Sequence, residues 1–287
     1  MLGDLRPHVG PATWIGAIPG YGGIDWRYRA LFGGRDRFFG LQRVPYVRKT
    51  ISYGEYVWIS GIRPQLFLAA LPSALAPQAA RLVEMLLGIP TAPIGSYLGI
   101  NLTTTNPTFH PARLYSAFGH HPLDQTFDRV EEFYEAWDDA ASATFLELDA
   151  ELRAISKAIP GGVPGLRDLQ AHYGVSSVPA LTRVIRSIRA LRNRALPLRA
   201  VARGYRLDPH TPFFTEDIAF GLLAIRGIAQ IVGVRVPMMD AILRWGQRCM
   251  GRRLLDQGGR IAGDEAHPFP ERFGIDSATK LAYAAAN

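Results

Sequence analysis

A polar island between apolar flanks holds the side chains best suited to proton chemistry in this sequence. Residues 97–118 include Asn106 and His110, each followed directly by a proline. A residue before proline is pushed out of the helical region, so we expect His110 at a loop-to-helix junction with Pro111 as the first helical residue. A helix start lowers the pKa of an imidazole and attracts anions. Such a histidine suits proton transfer; the alternative is an asparagine cap beside a histidine packed in the core.

The run Thr215-Glu216-Asp217 is a second candidate site. A threonine N-cap followed by acidic residues in the first turn is also an ordinary helix start. The acids would act on a ligand only if they faced a pocket, and helical periodicity does not show which way they point. Both interpretations stay open at this point.

The sequence lacks the common signatures of other enzyme classes. It contains no Walker A motif, no H-E-x-x-H, no G-x-S-x-G and no C-x-x-C. The segment Gly20-Tyr-Gly22-Gly-Ile-Asp25 comes nearest to a dinucleotide fingerprint, but Asp25 stands where the third glycine belongs. Its charge would repel a pyrophosphate. We therefore predict no phosphate loop there and assign no cofactor-binding residues from the sequence.

The net charge of +7 is concentrated in residues 181–206, which hold eight arginines and no acidic residue. Arg183, Arg186, Arg189 and Arg192 recur every three residues, which predicts a winding stripe on a helix. A solvated helix face is the ordinary interpretation, and an anion site is the alternative. The stripe lacks interleaved aromatic residues, so nucleic acid is not a predicted partner.

Acidic residues cluster between residues 131 and 139, but helical spacing would spread them around a surface with no histidine among them. We therefore predict a solvated face and no metal site. The acids concerned are Glu131, Glu132, Glu135, Asp138 and Asp139.

Composition indicates a folded protein of the cytoplasm. The chain is 48 % hydrophobic and has one cysteine, Cys249, so no internal disulfide is expected. The N-terminus lacks an apolar run of signal-peptide length, and the longest apolar stretch is interrupted by Arg226. No membrane association is predicted.

Two regions with different patterns follow one another along the chain. We predict strands over residues 12–18 and 56–62, an extended pair within 39–52 and a helix over 77–87. From Pro111 onward the pattern is helical, with long helices over residues 128–159, 215–232 and 237–255 and the arginine-striped helix between the first two. The predicted domains are residues 1–95, α/β in character, and residues 96–287, mainly helical.

Taken together, these segments resemble the octopine/nopaline (opine) dehydrogenase family. The similarity rests on Pro45-Tyr46-Val47-Arg48 with the strand after Gly54, on Asn106-x-x-x-His110-Pro111, and on Thr215-Glu216-Asp217-Ile218 with the later Gly233-to-Asp240 segment. The resemblance implies the C-terminal part of a Rossmann-type nucleotide-binding domain, followed by an α-helical substrate and dimerisation domain similar to the C-terminal domain of 6-phosphogluconate dehydrogenase.

The resemblance also implies a reaction, in which NAD or NADP supplies reducing power for the condensation of an amino acid with an α-keto acid. His110 would be the general acid/base, Asn106 would orient the substrate or the histidine, and Asp217 would hold the amine or polarise His110. Substrate-binding candidates are Arg113, Glu216 and Arg206. A homodimer, or a partner chain that supplies the rest of the nucleotide-binding half, is the expected assembly.

Two departures from the family pattern qualify this implication. Family members begin with a strand and a G-x-G-x-x-G/A loop, which is not present in this sequence, so the chain alone is expected to lack the pyrophosphate site. Some members carry an arginine just before the Thr-Glu-Asp element, where this chain has Pro209-His-Thr-Pro212. The alternatives are a non-catalytic relative that binds small molecules or dimerises, and a hydroxyacid-type dehydrogenase that uses the same histidine.

Overall fold

A mixed β-sheet forms the first part of the molecule. The computed structural model describes residues 2–33, 37–103, 106–262, 267 and 269–287. Within these residues the main sheet has the strand order β1-β2-β5-β6, in which β1 and β2 are parallel, β2 and β5 antiparallel, and β5 and β6 parallel. Its strands are β1 (Ile15–Ala17), β2 (Phe38–Leu41), β5 (Leu66–Leu71) and β6 (Thr91–Pro93).

The central strands are apolar along their whole length because both faces of the sheet are covered. On one face, Leu66 and Leu68 pack with α2 (Ala76–Leu87) in a small core. On the other face, Phe38 stacks on Tyr97, whose ring centroid lies 5.7 Å away, and joins a larger core that continues into the helices. The sheet and the helical part therefore share one hydrophobic interior.

A β-hairpin stands beside the sheet. Its strands are β3 (Tyr46–Ser52) and β4 (Tyr56–Ile62), and the predicted strand over residues 56–62 is confirmed. The turn between them places Gly54 at a φ of 78°, a backbone conformation that glycine adopts without strain. Apolar side chains of β4, including Trp58, Ile59 and Ile62, are exposed.

Helices make up most of the chain after residue 95, so the predicted fold class, a Rossmann-type α/β region followed by a helical domain, is confirmed. No helix within the described residues is both long enough and apolar enough to cross a bilayer. The remaining elements are α1 (Ile24–Phe32), α3 (Leu98–Asn101), α4 (Asn106–Phe118), α5 (Asp139–Ala158), α6 (Leu169–Tyr173), α7 (Val178–Ser187), a π-helix (Phe213–Leu222), α8 (Leu223–Ile231), α9 (Pro237–Met250), α10 (Ala278–Ala284), the short hairpin β7 (Leu198–Ala200) with β8 (Tyr205–Leu207), and 3-10 turns at Gly3–His8, Ser73–Leu75, Arg189–Leu191 and Pro270–Phe273.

The predicted helix over residues 128–159 is wrong in its first third, because α5 begins only at Asp139. Asp138 caps α5 by accepting a hydrogen bond from the backbone N–H of Ala141 at 2.8 Å. The preceding residues instead pair their backbone with a distant segment: Phe133 N–H donates to the carbonyl of Arg194 at 2.6 Å. The acidic residues 131–139 therefore do not share one helix face.

The arginine stripe is not a single helix either. α7 ends at Ser187, Arg189 lies in a 3-10 turn, and Arg192 is extended. The residues that follow are drawn into pairing with the segment before α5, where Leu196 N–H donates to Glu131 O at 2.9 Å. This pairing overrides the helical spacing of the arginines.

The predicted helix starts at Pro111 and Thr215 are also wrong. α4 already begins at Asn106, so His110 and Pro111 both lie inside it. Thr215 lies within the π-helix, and its hydroxyl donates back to the carbonyl of Thr211 at 3.2 Å instead of capping. Contacts between helices outweigh the local preference against a helical residue before proline at His110.

The last two predicted helices need their boundaries corrected. The element predicted over residues 215–232 is a π-helix continued by α8, which ends at Ile231. α9 ends at Met250, five residues before the predicted Leu255, because Gly251 takes the left-handed conformation that terminates helices.

Candidate active site

His110 is held between an acid and a phenol in the buried interior. Its Nδ1 lies 2.7 Å from Oδ2 of Asp217, and its Nε2 lies 2.8 Å from the hydroxyl of Tyr134. The histidine is 8 % exposed and Asp217 is 7 % exposed. Three separate segments meet here: α4 carries His110, the π-helix carries Asp217, and the loop before α5 carries Tyr134.

A glycine lets the π-helix approach α4 closely enough for this contact. A Cβ atom built on Gly221 would lie 2.4 Å from Cγ of Pro107, which is far inside van der Waals contact. The proline ring cannot swing aside, so any larger residue at position 221 must push the two helices apart. π-helical turns are rare and often mark functional sites, and here the turn brings Asp217 and Gly221 to the face that meets α4.

Aromatic rings enclose the histidine. Phe213 meets the imidazole edge-on at 4.8 Å between centroids, and Phe133 does so at 5.4 Å. Phe109 stacks beside it at 6.0 Å. These rings exclude water, and a charge pair in such surroundings is coupled more strongly than at the surface.

The protonation states of Tyr134 and His110 follow from their surroundings and hydrogen-bond partners. Burial raises the pKa of Tyr134 well above its ordinary value, and the carboxylate of Asp217 adds to the shift while Arg194 opposes it. Tyr134 is therefore a neutral phenol near pH 7 and can donate its proton to Nε2. The opposite nitrogen then carries a proton and donates to Asp217, an assignment that rests on the hydrogen-bond network.

A cavity of about 260 Å³, the site cavity, opens beside this chain of hydrogen bonds. Tyr134, Asn106 and Tyr21 line it, whereas His110 is not among its lining residues. The Tyr21 side chain is hydrogen-bonded to Asn106; burial raises the pKa of Tyr21, with Asp217 and Glu216 adding to the shift. Of the three residues that these hydrogen bonds connect, Tyr134 is thus the one that lines the cavity.

The structure separates the remaining site candidates. Glu216 is exposed and lies close enough to Tyr21 to act on its charge. Arg113 is buried and turned away, with Nη1 at 3.5 Å from Asp138 and Nη2 at 3.8 Å from Glu131. The side chains of the two acids are nevertheless 42 % and 54 % exposed, so both are solvated as predicted while each also forms an ion pair with a buried cation.

Arg206 lies on β8 opposite Arg199 and does not line the site cavity. Tyr134 and Tyr21 were not predicted from the sequence. Tyr134 falls in the segment assigned to a helix by mistake, and no motif marks either tyrosine. Only the fold brings them to the histidine.

A second, larger cavity adjoins the first. It measures about 550 Å³ and lies between the sheet and the helical part, from Phe67 on β5 to Leu169 on α6. The two cavities share part of their walls, including Arg43, Arg63 and Tyr173. A molecule bound beside Tyr134 could therefore extend into the larger space.

The glycine turn after β1 does not fit a pyrophosphate. The N–H of Gly23 at the start of α1 is taken by the side-chain oxygen of Asn101 at 3.3 Å, and the Asn101 amide donates to Asp25 at 3.1 Å. Asp25 is buried beneath this turn, which raises its pKa to about 7. Gly20 is required by packing, since a Cβ there would lie 2.6 Å from Gly40 Cα. The Gly23 N–H at the start of α1 is thus already taken, and the acidic side chain of Asp25 lies beneath the turn where a phosphate would bind.

The two-part architecture and the buried His–Asp pair define a dehydrogenase-type fold with a helical second domain. Residues 93–250 match the family described as NAD/NADP octopine/nopaline dehydrogenase, alpha-helical domain. The chain belongs to the octopine/nopaline dehydrogenase family.

Similar proteins span most of the chain. The protein y4xO of Sinorhizobium fredii is 31 % identical over 266 residues, which cover 85 % of this chain and 70 % of that protein. Tauropine dehydrogenase of Arabella iricolor is 26 % identical over 96 % of this chain and 74 % of its own length. A solved structure of octopine dehydrogenase with NADH and L-arginine has a TM-score of 0.83 at 20 % identity, covering 98 % of this chain and 74 % of that one, and shows the same fold.

Replacing Gly221 with alanine tests the close approach of the two helices. We expect Gly221→Ala to destabilise the protein by about 1–3 kcal/mol, because the added methyl group collides with the Pro107 ring. Urea unfolding measures the change. Gly10→Ala is the matched control, since a Cβ there meets nothing nearer than 3.9 Å. Equal stability of the two variants would show that the helices tolerate a side chain at position 221.

Proposed function

We propose that this chain carries the substrate-binding and proton-transfer site of an opine-type oxidoreductase, which condenses an amino acid with an α-keto acid and reduces the product. The observation that supports this function best is the hydrogen-bonded chain Asp217–His110–Tyr134, which ends at the site cavity. Family membership supports the oxidoreductase class.

The condensation requires proton transfers at one place. The amino acid enters as an ammonium ion, loses one proton and attacks the keto carbon, and its nitrogen then loses a second proton. The former carbonyl oxygen gains two protons and leaves as water, which gives the protonated imine. In our proposal His110 Nε2 accepts each proton from the nitrogen through the Tyr134 hydroxyl and returns it to the oxygen by the same path. Asp217 stabilises the imidazolium between the two events, as a buried carboxylate beside Nδ1 can do.

Reduction of the resulting imine needs a hydride, which NADH or NADPH supplies in this family. Because the turn after β1 does not fit a pyrophosphate, we assign no residue of this chain to the cofactor phosphates. The proposed division is that residues 96–287 protonate the substrate, whereas residues 1–95 form part of the nucleotide-binding domain and contribute side chains such as Tyr21 to the substrate cavity.

The other site residues take supporting roles in this proposal. Asn106 and Tyr21 line the site cavity and would orient the bound substrate, since both nitrogens of His110 already have partners. Glu216 would act on the substrate amine from the rim. Arg113, committed to two acids, would hold the loop that carries Tyr134 and bind no substrate. Arg206 remains a prediction without a contact at the cavity.

The substrate requirement of the reaction separates this proposal from its alternatives. We expect oxidation of NADH or NADPH only when an α-keto acid and an amino acid are both present. The absorbance of the reduced cofactor measures this oxidation for a range of substrate pairs. His110→Ala should lower kcat about 100-fold or more, the usual contribution of a general acid/base. His120→Ala, exposed in the turn just after the same helix, is the control.

Oxidation with the keto acid alone would contradict this function in favour of a hydroxyacid-type dehydrogenase. Binding of amino or keto acids without any binding of NADH or NADPH, measured by fluorescence titration, would favour a non-catalytic relative.

Tyr134→Phe tests whether the hydroxyl lies on the proton path. The change removes one oxygen and leaves the aromatic packing, so we expect kcat to fall at least tenfold with KM little changed, and the pH profile of kcat to shift. Tyr173→Phe is the matched control, because Tyr173 lines the cavity without bonding to His110. Unchanged kcat in Tyr134→Phe would mean that substrate displaces the phenol and meets the imidazole directly.

We further propose that the protein works in the cytoplasm as a homodimer, or with a partner chain that carries a dinucleotide-binding half. Exposed apolar side chains on both faces of β4, Trp58 and Ile59 among them, support an assembly larger than one chain. We expect Trp58→Lys to lower the mass measured by analytical ultracentrifugation, and a monomeric unmodified chain would contradict the homodimer.

A further inference from the structure

Arginine side chains from both parts of the molecule converge on the wall between the two cavities. Arg43 follows β2 and Arg63 follows β4, and each lines both cavities. Arg167 lines the larger cavity from the loop before α6, and His172 on α6 lines both. Among the described residues that line either cavity there is no carboxylate.

The cationic side chains of this group lie close enough to repel one another. Nε of Arg63 is buried and has no hydrogen-bond partner within the described structure. Burial lowers the pKa of Arg43, and the charge of Arg63 lowers it further, while Tyr173 opposes both. Although His172 is exposed overall, partial desolvation of its ring and then Arg43, Arg63 and Arg167 lower its pKa to about 4. A bound anion would relieve this repulsion.

The cations differ in which cavity they line, and this difference indicates which part of a ligand each would bind. In the site cavity, Arg43 and Arg63 share the walls with Tyr134 and Asn106, so they can take the carboxylates next to the reacting atoms. Arg167 lines only the larger cavity and is not among the residues that line the site cavity. A ligand anion that pairs with Arg167 would therefore belong to a group that extends away from the reaction centre.

We propose that the amino-acid substrate of this enzyme carries a second carboxylate on its side chain, bound in the larger cavity by Arg167 and Arg63. This rests on the proposed function, because it identifies the larger cavity as the side-chain pocket of the same substrate site. His172 contributes a neutral imidazole as a hydrogen-bonding group near pH 7. The pocket disfavours basic side chains, which would add a cation to three arginines.

Glutamate and glutamine provide the matched test, since they differ in side-chain charge and hardly in shape. We expect isothermal titration of the full chain to give at least tenfold tighter binding of glutamate than of glutamine, and no detectable binding of arginine. Binding is the readout, so the test does not require turnover. Equal affinities for glutamate and glutamine would overturn the second carboxylate while leaving the proposed function standing. Failure of every amino acid to bind would contradict both.

Substitutions of the arginines test which of them cause the preference for glutamate. Arg167→Gln should bring glutamate affinity down to that of glutamine and weaken glutamine binding far less, and Arg63→Lys should retain part of the preference because the charge remains. Arg183→Gln, on the exposed face of α7 and outside both cavity walls, is the control. Glutamate binding that survives Arg167→Gln, together with loss of NADP⁺ binding, would assign the cluster to a cofactor phosphate and overturn the proposal.

Discussion

The close contact between α4 and the π-helix is the constraint on which the site depends. It places His110 Nδ1 at 2.7 Å from Asp217, and only a glycine at position 221 leaves room for the Pro107 ring between the backbones. The π-helical turn, the buried aromatic rings and the loop that delivers Tyr134 all adjust to that contact. The proposed proton path is therefore a consequence of helix packing as much as of residue chemistry.

Two kinds of chemistry meet in the site cavity. Tyr134 and Asn106 provide the groups for proton transfer, and Arg43 and Arg63 provide the cations for charge recognition. In our proposal the arginines hold the substrate at its carboxylates while its reacting atoms face the phenol. Such positioning is what an enzyme of this class must supply, since the cofactor carries the redox step.

The sequence predicted the fold class, the strand over residues 56–62 and the pairing candidates His110 and Asp217, because motif order and residue type carry that information. It could not predict that α5 begins at Asp139 or that the arginine helix ends at Ser187, because both ends are set by backbone pairing between distant segments. Tyr134 and the convergence of Arg43 with Arg167 depend on the same long-range contacts, so no local pattern reveals them. The family resemblance offered Arg113 as a substrate-binding candidate, whereas the fold pairs it with Glu131 and Asp138.

The tautomer of His110 tests the central claim most directly. Long-range ¹H–¹⁵N correlation spectra of the full chain near pH 7 report which imidazole nitrogen carries the proton. A proton on Nδ1, shifted downfield by its bond to Asp217, with Nε2 unprotonated and accepting from Tyr134, is the predicted result; in Asp217→Asn this downfield signal should disappear. A neutral ring with its proton on Nε2 would contradict the proposed path, because Nε2 could then take no proton from the substrate.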